Sequence, residues 1–85
     1  MTRLELKYFN SYETKIIRFL IARRKLKNGI STKQIAKMTK MHEKTALSYL
    51  YHLKERGWII ITERYANRIY WNFNNRLYEK LIKNE

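Results

Sequence analysis

Apolar residues change their spacing along this chain, and each change predicts a new structural element. Between residues 11 and 27 they recur at steps of three and four, which indicates one buried face of an α-helix. Ser11 is placed to cap the start of this helix, and Asn28-Gly29 to end it in the left-handed conformation. Over residues 1–9 apolar and charged positions alternate, so this segment fits either a strand or an extension of the helix.

Two more helices, separated by a short turn, are predicted between residues 31 and 56. Ser31 opens an S-x-x-Q capping sequence, which predicts a short helix over 32–39. Its inward-facing residues are expected to be Ile35, Ala36 and Met38. A longer helix is predicted from Glu43 to Arg56, with Gly57 after its end. Its apolar stripe consists of Ala46, Leu47, Leu50 and Leu53.

The remaining third of the chain predicts a β-hairpin and a last helix. Runs of β-branched and aromatic residues over 58–62 and 69–73 flank a polar segment, 64–68, as in two paired strands. Asn74 is placed to cap a helix over 75–83. The predicted order is helix, short strand, helix, helix, strand, strand, helix. The expected fold is therefore a single, mainly α domain over residues 1–85 with a small β-hairpin, in the α+β class.

Charge narrows the possible partners. The 85 residues include 19 Lys and Arg against seven acidic residues, which gives a formal net charge of +12. The isoelectric point near 10.2 lies above the value of about 9 that is typical of nucleic-acid-binding domains. Repulsion among so many like charges destabilises a compact domain unless a polyanion neutralises them. We therefore expect a polyanionic partner.

The same helices and hairpin resemble a known DNA-binding fold. Residues 31–73 resemble the winged helix-turn-helix domains of bacterial and archaeal regulators such as the MarR and ArsR groups. The resemblance is carried by Ser31, Ile35, Ala36, Met41, Ala46, Leu50, Leu53, Gly57, Trp58 and Ile59, followed by the hairpin. It implies a transcriptional regulator that binds duplex DNA, with the hairpin as the wing. Two positions depart from the pattern: Lys40 stands where the turn often has glycine, and His42 where Ser or Thr often caps the next helix.

The helix predicted over 43–56 has a polar outer face. With its leucines turned inward and about 100° between successive residues, the opposite face presents hydroxyl, imidazole and ammonium groups. Such groups reach base edges in a major groove. The residues that we predict to read bases are Lys44, Thr45, Ser48, Tyr49 and His52.

Other polar groups surround this helix where phosphates would lie. The predicted backbone contacts are Thr32, Lys33, Lys37, Lys40 and Tyr51. The first two stand at a helix start, where free N–H groups and the helix dipole favour phosphate. The predicted wing contacts are Arg64, Asn67 and Arg68. Contacts of this kind orient the protein and give salt-sensitive affinity without reading sequence.

A homodimer is a further expectation. Leu77, Tyr78, Leu81 and Ile82 in the last helix are the predicted dimerisation residues. Packed with residues 4–21 from the other end of the chain, they would leave an apolar face for a twofold-related copy. A dimer would contact half-sites about one helical turn apart on the DNA.

Several other functions lack their residues. The sequence has neither Cys nor Asp, no H-E-x-x-H zinc motif and no phosphate-binding loop of the G-x-x-x-x-G-K type. We therefore expect no metal, no cofactor and no enzymatic activity. No apolar stretch approaches the roughly 20 residues of a membrane span, so we expect an intracellular, nucleoid-associated protein without a membrane partner.

Three alternatives remain open at this point. The positive surface would also suit an RNA-binding or ribosome-associated winged domain. The helix over 43–56 could instead contact another protein. The basic amphipathic segment 15–24 is of a kind that can lie on anionic lipid, although the core of so small a domain needs the same apolar face.

Overall fold

The computed structural model describes the backbone of residues 2–4 and 6–84 and the side chains of residues 6–81. In chain order the elements are β1 (Thr2–Leu4), α1 (Ser11–Ala22), β2 (Ile30–Ser31), α2 (Thr32–Thr39), α3 (Glu43–Glu55), β3 (Ile59–Tyr65), β4 (Arg68–Phe73), a 3-10 helix (Asn75–Leu77), α4 (Tyr78–Leu81) and β5 (Ile82–Asn84). The predicted order of helices and strands is confirmed, and the chain has an α+β fold. The short pair β1–β5 is additional to the predicted order.

The cap of α1 is Asn10, not Ser11 as predicted. The Asn10 side chain accepts a hydrogen bond from the backbone N–H of Glu13 at 2.8 Å, and the Glu13 carboxylate accepts one from the N–H of Asn10 at 3.0 Å. This reciprocal pair is a complete capping box. The prediction was wrong by one residue because both Asn10 and Ser11 are good capping residues.

α1 ends at Ala22, several residues before the predicted end at Lys27. The chain then turns so that the backbone carbonyls of Arg24 and Leu26 accept hydrogen bonds from the side-chain amide of Asn72, at 3.2 and 2.9 Å. These bonds join segments nearly 50 residues apart. A local helical pattern gives no sign of them, so the prediction overran.

Gly29 has the left-handed conformation that the sequence predicted, with φ +75°, but it lies in the loop before β2 and does not end α1. A Cβ atom at this position would collide with the Thr62 hydroxyl and would lie 2.7 Å from the backbone oxygen of Trp71. Only glycine allows the loop to approach the sheet this closely.

α2 occupies the predicted range. Ser31 caps it, and the Ser31 hydroxyl accepts a hydrogen bond from the N–H of Gln34 at 3.2 Å. Ile35 and Ala36 are buried as expected, but Met38, which was predicted to face inward, is exposed. Its place is taken by Thr39, whose hydroxyl donates to the carbonyl of Ile35 at 2.7 Å. A threonine that bonds back to its own helix needs no apolar neighbour to be buried.

α3 follows a tight turn in which Lys40 has φ 58° and ψ 46°, the left-handed region that glycine favours. At this position the winged helix-turn-helix domains that the sequence resembles often have glycine. α3 turns Ala46, Leu50 and Leu53 fully inward, whereas Leu47 is only partly buried. Gly57, at φ +87°, follows its end as predicted.

β2, β4 and β3 form an antiparallel sheet in that order, and the predicted hairpin of β3 and β4 is confirmed. Its strands are longer than expected, because most of the polar segment 64–68 is paired. Arg64 lies opposite Ile69, and Tyr65 lies opposite Arg68. Only Ala66 and Asn67 remain in the turn.

The predicted helix over 75–83 is too long. Asn74 caps a 3-10 helix by accepting from the N–H of Arg76 at 3.2 Å, and α4 then adds only a short segment. From Ile82 the chain forms β5, which pairs antiparallel with β1. Residues 2–4 are therefore a strand, and the pairing of the two chain ends overrides the local helical pattern.

The core lies between α1, α3 and the sheet. Its fully buried large side chains are Trp71, Phe73, Ile16, Ile17, Leu20, Ile35, Leu50, Leu53, Ile59 and Leu81. The apolar face of α1 is thus already occupied by the core, which removes the face that a lipid surface would need. Within the part of the chain that the structure describes, no helix combines the length and the apolar character needed to cross a membrane.

Candidate nucleic-acid interface

The outward face of α3 is open to solvent. Lys44, Ser48 and His52 are all exposed and lie four residues apart, so they follow one another along the same side of the helix. We call these three residues the ridge. Thr45 is exposed beside it. The ridge exists because the fully buried Leu50 and Leu53 fix the opposite side of α3 in the core.

Tyr49, which was predicted to read bases, does not join the ridge. Its ring is partly buried and stacks on Tyr12 of α1, with 5.7 Å between ring centroids and 20° between ring planes. Tyr49 therefore lies at the margin of α3 that faces α1. The Lys15 ammonium group lies beside this pair of rings, 5.9 Å from the centroid of the Tyr12 ring.

An open groove of about 920 Å³ lies on the other margin of α3, between α2, α3 and the tip of the hairpin. Seven of the predicted backbone and wing contacts line this groove: Thr32, Lys33, Lys37, Tyr51, Arg64, Asn67 and Arg68. These residues come from three elements: α2, α3 and the hairpin. Lys40 is exposed in the turn before α3 but does not line the groove.

The groove is strongly cationic. Lys33 and Lys37 on α2 face Arg64 and Arg68 on the hairpin, and Glu43 is the acidic residue in the lining.

The Tyr65 hydroxyl donates to the Glu63 carboxylate at 2.9 Å. This hydrogen bond and the carboxylate charge raise the pKa of Tyr65 above its ordinary value, so the hydroxyl stays neutral throughout the physiological range.

Apolar groups also line this groove, and sequence reasoning missed most of them. Met38, Leu47 and Ile69 lie between the cations. The Tyr51 ring packs edge-on against Trp71, with 5.3 Å between centroids, and remains about one-third exposed. The exposure of Met38 was unforeseeable from the helical pattern, because that pattern placed Met38 in the core.

The Thr32 hydroxyl is engaged within the domain, so a phosphate contact at this residue stays a prediction for its backbone N–H at the start of α2. Its hydroxyl is buried, accepts a hydrogen bond from the indole N–H of Trp71 at 2.7 Å and donates to the carbonyl of Ile69 at 3.3 Å. The residue instead fixes the start of α2 against β4. These bonds hold α2, which carries Lys33 and Lys37, beside β4, which begins at Arg68.

The predicted dimerisation residues are largely used within the chain itself. Leu81 is fully buried in the core and so cannot belong to an exposed face. Leu77 and Tyr78 are partly buried against that core, and the guanidinium of Arg24 lies 4.1 Å from the centroid of the Tyr78 ring. The side chain of Ile82 lies outside the described residues. The expected homodimer therefore rests on the sequence alone.

No protein-family model matches the sequence, and no curated protein matches it significantly. Among the described side chains, no three His, Cys, Asp or Glu residues come together as metal ligands would. The functional interpretation therefore depends on the ridge and the groove.

Proposed function

We propose that this protein is a winged helix-turn-helix transcriptional regulator that binds duplex DNA in a sequence-specific manner. The observation that carries the proposal is the exposure of Lys44, Ser48 and His52 on one side of α3, directly beside a groove lined by four cations. A polar ridge flanked by positive charge matches the two tasks of such a protein, which are reading bases and holding phosphates.

In the proposed complex α3 lies in the major groove, which is about 12 Å wide and accommodates a helix. Lys44 at the beginning of α3 donates to acceptors such as guanine O6 and N7. Ser48 and His52, one and two turns further along, contact neighbouring base pairs. α2 packs across α3, and its lysines follow one DNA strand.

The cationic groove receives the sugar-phosphate backbone beside that major groove. Lys33 and Lys37 would contact it from α2, and Arg64 and Arg68 from the hairpin. Arginine suits this task because its planar guanidinium forms paired hydrogen bonds with phosphate oxygens. The exposed turn at Ala66 and Asn67 carries the hairpin tip toward the adjacent minor groove.

The positive charge of the protein supports a polyanionic partner such as duplex DNA. Among the side chains of residues 6–81, the ion pair joins Arg56 to Glu13 at 3.2 Å, so few of the cations are neutralised within the described part of the chain. Duplex DNA carries one negative charge per about 1.7 Å of helix axis. Binding would release counterions from the DNA and relieve the repulsion within the domain.

Selection of bound duplexes from a random pool tests the proposal. We expect one preferred sequence, and a pseudo-palindromic one if the protein binds as a homodimer. Competition then compares that duplex with RNA of the same sequence at moderate salt. Equal competition by RNA would favour an RNA-binding role, and the absence of any enriched sequence would contradict sequence-specific DNA binding.

Variants of the ridge and the hairpin should have different effects. Lys44→Ala or Ser48→Ala should relax base preference at one position, with a loss of about 1–3 kcal/mol per good base contact. Arg68→Ala should weaken binding to all duplexes alike and reduce its salt dependence. Fluorescence anisotropy with matched and single-mismatch duplexes measures both effects. A change of base preference in Arg68→Ala, with none in the two α3 variants, would show that the hairpin reads the sequence.

A further inference from the structure

A second concentration of positive charge lies in the loop between α1 and β2. Residues 23–27 contain Arg23, Arg24, Lys25 and Lys27. No acidic residue occurs between Glu13 and Glu43 in the sequence, whereas nine Lys and Arg residues do. The loop therefore has no acidic residue within its own stretch of chain.

The backbone of this loop contacts the sheet on the face turned away from α3. Trp71 points toward α3, since its ring packs on Tyr51. The next residue of β4, Asn72, points the other way because successive side chains of a strand alternate. The Asn72 amide donates to the backbone carbonyls of Arg24 and Leu26. The backbone of the basic loop at Arg24 and Leu26 thus lies against the face of the sheet that is turned away from α3.

Two of the four cations of this loop are held in place. The Arg23 guanidinium stacks on Phe19, and that of Arg24 stacks on Tyr78, each 4.1 Å from the ring centroid. Arg24 also donates to the carbonyl of Ile21 at 3.0 Å. A guanidinium stacked on a ring keeps its N–H edge available for a phosphate. Ordering these side chains beforehand lowers the entropy lost on binding.

We propose that residues 23–27 bind the phosphate backbone of a second DNA segment, so that one domain joins two duplexes. The inference rests on the proposed function, because the ridge and the groove hold the first duplex. A duplex fits better than a lipid surface, since the loop offers Leu26 as its one exposed large apolar side chain and the apolar face of α1 is buried. Stable attachment to lipid needs a larger apolar face.

A bridging assay tests this inference. The selected duplex is fixed to beads, the protein is added, and capture of a second, labelled duplex of unrelated sequence is measured. The loop variant carries Arg23→Gln, Lys25→Gln and Lys27→Gln. The matched control carries Lys33→Gln, Lys37→Gln and Arg68→Gln, which removes the same charge from the groove. Thermal melts check that both variants are folded.

We expect wild-type protein to capture the second duplex. The loop variant should lose capture by about tenfold or more, as expected when several phosphate contacts are removed. It should nevertheless bind a single short duplex within about threefold of wild type at 0.15 M salt, because charges on the far face are screened. The groove variant should lose single-duplex binding itself.

Several outcomes would overturn the inference. Wild-type protein that binds one duplex but captures no second would overturn it while leaving the proposed function intact. Capture that survives in the loop variant would assign bridging to paired copies instead. If wild-type protein binds vesicles containing anionic lipid and the loop variant does not, while the loop variant still bridges duplexes, the loop would be assigned to membranes. Failure of wild-type protein to bind any duplex would overturn the proposed function as well.

Discussion

Replacing Trp71 by alanine should lower the free energy of unfolding by about 3–5 kcal/mol, the usual cost of removing a large buried aromatic side chain. Trp71 is fully buried, contacts Tyr51 of α3 and donates to the Thr32 hydroxyl at 2.7 Å. A domain of this size has a total stability of about 4–13 kcal/mol. Urea unfolding followed by circular dichroism measures the loss, and the unfolding midpoint of the variant should lie well below that of wild type.

Two further variants serve as controls, one for the hydrogen bond of the Trp71 ring and one for its burial. Thr32→Val keeps the shape of the side chain but leaves the indole N–H of Trp71 without its partner, which should cost about 1–3 kcal/mol. Ile60→Ala alters a large but half-exposed side chain of β3 and should cost clearly less than the Trp71 change. If Trp71→Ala is no more destabilising than Ile60→Ala, the described packing between α3 and the sheet is wrong.

Removing the four cations of the groove should have the largest effect on DNA binding. Lys33→Gln, Lys37→Gln, Arg64→Gln and Arg68→Gln together would abolish about four phosphate contacts. The slope of the logarithm of the binding constant against the logarithm of salt concentration should then become shallower by about 3.6. At 0.15 M salt the corresponding loss of affinity is about a thousandfold.

The salt dependence distinguishes this loss from partial unfolding. All four side chains line an open groove, so the melting temperature of the variant should stay near that of wild type or rise as repulsion is relieved. The variant with glutamines at residues 23, 25 and 27 is the control, and its slope on a duplex of one site should match wild type. A fourfold variant that retains the wild-type slope would place the DNA elsewhere on the surface.

Local signals were sufficient for α2, α3 and the hairpin. Ser31 caps α2 through a hydrogen bond within one helical turn, and Gly57 ends α3 through its own backbone preference. The leucine stripe of α3 determines by geometry that Lys44, Ser48 and His52 face outward. The ridge could therefore be predicted because each of its causes lies within a few residues.

Features that depend on contacts between distant segments could not be predicted in this way. The turn that follows α1 is held by Asn72, nearly 50 residues away. The helix expected over 75–83 gives way to β5, because the end of the chain pairs with its beginning. The Thr32 hydroxyl bonds to Trp71 and Ile69, nearly 40 residues away, and the local sequence gives no sign of these bonds. In each case a tertiary contact outweighs a local preference.

The groove could be predicted only in part. Its cations were identified one by one from their places around predicted elements, and the structure brings Lys33, Lys37, Arg64 and Arg68 into one lining. The apolar residues between them were not foreseen. Leu47 counted as core because it belongs to the apolar stripe of α3, yet it lies at the margin of that stripe and is only partly buried.

Chemical footprinting of the selected duplex tests most directly whether α3 lies in the major groove. Dimethyl sulfate methylates guanine N7, which faces the major groove, and adenine N3, which faces the minor groove. We predict that bound protein protects guanine N7 within the site, and that Lys44→Ala, at equal occupancy, loses protection at one position while the rest remains. Protection confined to adenine N3, with every guanine N7 still reactive at full occupancy, would contradict major-groove reading by α3.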